Sequence, residues 1–108
     1  MKVIELDATN WERISDFYDV LLRALGAPDW HGRSPVALVD TMIGGGGKDF
    51  NALKPPYDIN IINTNKLPNS IKEEIREASD LIRTTRERRL ARTGEDVKVR
   101  LQLVDTES

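Results

Sequence analysis

Three short segments of the chain alternate apolar and polar residues with a period of two, and helix-like stretches separate each from the next. Lys2 to Leu6 carries Val3, Ile4 and Leu6 and ends at Asp7; "YDINIINT" carries Tyr57, Ile59 and Ile61; "VKVRLQLV", Val97 to Val104, carries Val97, Val99, Leu101 and Leu103 on one face. Such alternation specifies strands. Parallel strands need a long crossover, and a helix lies between each pair of these segments, so the order strand, two helices, strand, helix, strand predicts an α/β fold. The expected architecture is a small three-stranded parallel sheet with right-handed connections, packed with helices.

The helices have their own signatures. In "WERISDFYDVLLRALG" the residues Ile14, Phe17, Tyr18, Leu21, Ala24 and Leu25 form a stripe of helical period, stopped by Gly26 and Pro28. Its start has two readings, a capping box of Thr9 with Glu12 or a later cap at Ser15 with Asp16. In "SPVALVDTMIGG" Ser34 suits the cap, Pro35 the first helical position and Gly44 a left-handed stop, which leaves about two and a half turns. Gly44 to Pro56 reads as a loop. A helix of roughly 25 residues then runs from Pro68 to Gly94, with Ile71, Ile75, Ala78, Ile82 and Thr85 on one stripe, acids Glu73, Glu74 and Glu77 near its start and arginines near its end.

The 108 residues fit one domain, 1–108, able to bury a core without metals or disulfides, as the absence of cysteine requires. No leader pattern and no long apolar run is present, so the chain reads as soluble and cytoplasmic, with no membrane partner, and monomeric when free. Sixteen basic against eighteen acidic residues give a net charge of −2, which argues against general nucleic-acid affinity. The acids dominate the first half.

Enzyme motifs fail. The single histidine, His31, has no second ligand at metal spacing and no serine partner, so neither a metal site nor nucleophilic catalysis is expected. "MIGGGGKD" lacks the first glycine and the terminal hydroxyl of a phosphate loop, with Met42 and Asp49 in those places. No cofactor and no catalytic residue is expected. Arg83, Arg86, Arg88, Arg89 and Arg92 cluster on the long helix, and an RNA-binding module using this 83–92 stretch is the alternative reading; Glu87 interrupts the cluster and no aromatic stacks nearby.

The short helix is more informative. Helical spacing puts Ala37, Leu38, Thr41 and Met42 on one side, to pack on the domain, and Val36, Val39, Asp40 and Ile43 on the other. This second face, apolar around one carboxylate, is expected to meet a partner or a covering loop.

The run "ISDFYDVLLRALGAPDWHGRSPVALVDTM", Ile14 to Met42, resembles the barstar family. Its members share a Ser-Asp start to the first helix, a Leu-Gly-x-Pro-x-aromatic-aromatic-Gly turn, and a second helix of the form Asn-Leu-Asp-Ala-Leu-Trp-Asp. Family members inhibit a ribonuclease by covering its active site, many as immunity proteins in bacterial competition. The resemblance implies that Trp30 is an aromatic contact, that His31 takes a second aromatic place, that Gly32 is the turn glycine, and that Asp40 is the acid that enters the ribonuclease site. Together with Arg33, Ser34, Val36, Val39 and Ile43 these residues make the expected partner surface. A carboxylate there substitutes for a substrate phosphate, which a nuclease cradles with cations.

The departures are specific. Ser34 and Pro35 stand where Asn and Leu are usual, Val36 replaces an acid and Val39 a tryptophan. They imply a cognate toxin, a ribonuclease domain first among candidates, shaped differently from barnase and making a drier contact around Asp40.

Overall fold

The structure, a computed structural model, describes residues 2–27, 32–43 and 53–104. Its elements are β1 (Lys2–Asp7), α1 (Ile14–Leu25), α2 (Pro35–Met42), β2 (Tyr57–Ile62), α3 (Asn69–Thr93) and β3 (Val99–Leu103). The strands lie in the order β1-β2-β3, both pairs parallel. Ile4, Ile59 and Leu101 share one rung, and Leu6, Ile61 and Leu103 the next but one. This is the α/β fold with a three-stranded parallel sheet that the alternation predicts.

Alternation buries Tyr57, Ile59 and Ile61 in the central strand and leaves Asp58, Asn60 and Ile62 partly accessible. The helices pack against the buried face. Their residues Phe17, Leu21, Leu25, Leu38, Ile71, Ile75 and Ile82 join the strand residues in one apolar cluster, each at most 1 % exposed. The other face carries the exposed Val3 and two polar pairs within the sheet: Arg100 with Asp58 at 3.3 Å, and Gln102 donating to Asn60 at 2.7 Å. A parallel sheet is ordinarily covered on both faces; polar pairs in register keep the uncovered face wet.

α1 begins at neither expected cap. Arg13 is the N-cap residue, and the Asp16 carboxylate accepts from the amides of Glu12 (2.8 Å) and Arg13 (3.0 Å), which holds it below the usual carboxylate range. An acid in the first turn satisfies amides that have no partner inside the helix. The far end is as predicted: Gly26 takes φ +68°, and its amide and that of Ala27 close the helix onto Arg23 and Leu22. α3 spans 25 residues and ends at Gly94 with φ +76°. β3 starts at Val99 rather than Val97. Val97 is nonetheless buried, and the Lys98 carbonyl accepts from the Tyr57 amide at 3.0 Å.

Two contacts fix the helices around the sheet. The Tyr18 hydroxyl on α1 donates to Glu74 on α3, and Ser79 on α3 donates to the Leu101 carbonyl at 2.6 Å. Among the described residues no helix is long and apolar enough to cross a membrane.

Candidate recognition surface on the second helix

α2 is only eight residues long, so its position depends on what grips its two ends. At the start, Ser34 adopts an extended conformation and its Oγ accepts from the Ala37 amide at 3.1 Å, while Pro35 occupies the first helical position, as the sequence predicts. Just before it, Arg33 forms an ion pair with Asp19, which ties the approach to α2 onto α1. Gly32 lies close to the helix: a Cβ built there would come within 3.3 Å of the Ala37 Cβ. A larger residue would press on the first turn.

The expected division of α2 into two faces requires correction. Leu38, Thr41 and Met42 are buried as predicted, but Val39 and Ile43, assigned to the partner face, are buried too, at 9 % and 2 % exposure. Ile43 is enclosed where α2 meets α3, and Val39 belongs to the same apolar cluster. The outward surface therefore shrinks to Gly32, Arg33, Val36 and Asp40, with Ala37 and Ser34 half-covered. Val36 is 63 % exposed, the most accessible of the large apolar residues described. Trp30, His31 and Gly44, the last expected to stop the helix, lie outside the described residues.

Asp40 stands in the last turn of this helix. Partial negative charge accumulates at a helix C-terminus, so a carboxylate there is disfavoured unless a cation answers it. α2 has no basic residue in that turn, and among the described residues no ion pair involves Asp40. Two acids of α1, by contrast, are engaged within the chain: Asp19 holds Arg33, and Asp16 holds two amides.

The arginine cluster is largely spoken for within the chain. Arg83 lies within ion-pair distance of Asp80 and Glu87. Arg86 makes a two-pronged contact with Asp96 (2.6 and 3.0 Å), which raises its own pKa and keeps the Asp96 carboxyl below the usual range. Arg89 pairs with Glu95 at 2.6 Å and also donates to the Ile43 carbonyl of α2 at 2.9 Å. Only Arg88 and Arg92 of the five are without an ion-pair partner among the described residues. The Arg89 contact is a feature that sequence reasoning missed. Its partners are 46 residues apart and follow no local pattern.

An exposed valine, a carboxylate with no ion pair among the described residues and a guanidinium pinned by an acid thus share the outward side of α2 and the residues leading into it. A family model described as Barstar (barnase inhibitor) matches residues 1–102 of the chain. No curated protein matches it.

Proposed function

The chain belongs to the barstar family of barnase inhibitors, whose members bind ribonucleases and are inhibitors rather than enzymes, and we propose that it is a cytoplasmic immunity protein that blocks the active site of a cognate bacterial ribonuclease toxin. The observation that carries this reading is Asp40, an exposed carboxylate at the negative end of a short helix with no cation of its own among the described residues. A ribonuclease site collects cations to hold phosphate, and a preoriented carboxylate meets those cations with charge-assisted hydrogen bonds. Interface charges of this kind are worth on the order of 2 kcal/mol or more once desolvated, for which barnase and barstar are a standard worked case.

One turn before Asp40, Val36 offers an exposed apolar side chain for the partner to cover, and Arg33 is held by Asp19. Trp30 and His31 would extend the contact on the approach to α2. With Val39 and Ile43 turned into the core, the apolar component of the contact falls to Val36 and the two aromatic positions.

The test is inhibition of a panel of basic bacterial ribonuclease domains, barnase among them, by the purified chain. The wild type should inhibit at least one at a near-equimolar ratio. Asp40→Ala should weaken that binding by about thirtyfold or more, the equivalent of roughly 2 kcal/mol. Glu5→Ala, which removes an exposed acid on the sheet face turned away from the helices, should stay within a few-fold of wild type. Equal losses from both substitutions, or no inhibition by the wild type, would overturn the proposal.

A further inference from the structure

α1 and α3 each close with a glycine in the left-handed region. The C-cap residue of α2, Ile43, is right-handed at φ −117° and ψ −39°, and its carbonyl accepts from a side chain of another helix. Arg89 of α3 donates to it through Nη1 at 2.9 Å, while Nε and Nη2 of the same guanidinium donate to Glu95 Oε1 at 2.9 and 2.6 Å. One planar group therefore joins three segments: α3, the turn that follows it, and the end of α2. The side chain is 20 % exposed, and its bond to the Ile43 carbonyl is part-buried, a setting where it is stronger than at the open surface.

We propose that Arg89 is a positioning residue of the recognition surface: it fixes the C-terminus of α2 against α3 and so sets the direction in which Asp40 is presented. The function of that surface rests on the reading given above, whereas the clamp itself can be tested without a partner. Three observations support it. An eight-residue helix has little stability of its own, and its Ser34 cap secures only the opposite end. A cation at the C-terminus of α2 opposes the helix dipole in the same turn that carries Asp40, offsetting part of the local repulsion without engaging that carboxylate. The neighbouring Arg86 has a similar ion pair but donates to Asp96 and the Val99 carbonyl, fastening α3 to the start of β3 with no bond to α2.

Arg86 therefore supplies the control. Amide hydrogen exchange should be followed by NMR on the full chain as wild type, Arg89→Met, Arg89→Lys and Arg86→Met. Methionine keeps much of the apolar stem and removes the donors; lysine keeps the charge but not the rigid planar fork of donors. In Arg89→Met the amides of residues 38–43 should exchange about tenfold or more faster, as expected for loss of a charged hydrogen bond, while those of β2 stay at wild-type rates. Arg89→Lys should fall between the two. Arg86→Met should leave α2 protected. Uniform acceleration throughout the chain, or unchanged α2 amides, would overturn the proposal.

Barnase serves as the functional probe. If the wild type inhibits it, Arg89→Met should lose affinity by about tenfold with Asp40 intact, and unchanged affinity alongside a loosened α2 would overturn the positioning role. A wild type that fails against every ribonuclease tested counts against the inhibitor reading alone; the exchange rates of α2 still decide whether Arg89 is its clamp.

Discussion

Val36 and Val39 stand three residues apart on α2 and share a helical side on paper, yet one is 63 % and the other 9 % exposed. The difference lies in what surrounds the helix. A helix resting on a flat layer buries one stripe, but five of the six residues from Leu38 to Ile43 are buried here, so α2 sits in a trough between the core and α3. Only Asp40 interrupts that run. Truncation should therefore separate the two valines by stability and by binding. Val39→Ala should cost about 2 kcal/mol through the lost burial and the cavity left behind, whereas Val36→Ala should stay within about 0.5 kcal/mol. Urea denaturation midpoints measure the first effect. Ribonuclease inhibition measures the second, because Val36→Ala should weaken binding while leaving the midpoint unchanged.

α2 as an element is held at its two ends by different chemistry. The serine cap at its start is local and readable: Ser34, Pro35 and the amide of Ala37 are neighbours in the sequence. Ser34→Ala should destabilise the protein by about 1 kcal/mol, seen as a lower denaturation midpoint, and Ser34→Asp, which restores an acceptor at the favourable end of the dipole, should recover most of it. The far end depends on a guanidinium from another helix. α3 shows the same division. Its first half is fixed by Ile71, Ile75, Ala78 and Ile82, whereas from Arg83 to Thr93 no residue is buried, and Arg86 and Arg89 bind it to the turn that follows. Two members of the arginine cluster that on composition alone suggests a nucleic-acid surface, Arg86 and Arg89, are internal fasteners.

At the scale of the whole molecule, the two tyrosines report on the integrity of the core. Both are about 1 % exposed; burial foremost, and for Tyr18 also its bond to Glu74, raise both phenols above the ordinary value of 10.0. A group whose folded pKa lies above its unfolded one contributes stability that is fully present below the unfolded value and lost as pH climbs past it. Denaturation midpoints should therefore be flat from neutral pH up to pH 10.0 and fall above it, and phenolate absorbance should rise together with the loss of structure rather than before it. These are the chain's only tyrosines, so the optical signal has no other source.

The sequence by itself determined the element order, the parallel sheet, the ends of α3 and the caps at Ser34 and Gly26, because each depends on periodicity or on contacts within a few residues. Trp11 escaped that reading: it is 7 % exposed in the core, one turn ahead of the apolar stripe, while Ile14, counted in the stripe, is 37 % exposed. The sequence also singled out Asp40, a carboxylate among apolar residues. Only the tertiary structure decided that Val39 and Ile43 face inward, that Arg89 caps α2 and that Arg86 pairs with Asp96. The physical reason is that enclosure and long-range ion pairing depend on which distant side chains the fold brings together, and no local pattern encodes a hydrogen bond between residues 46 positions apart.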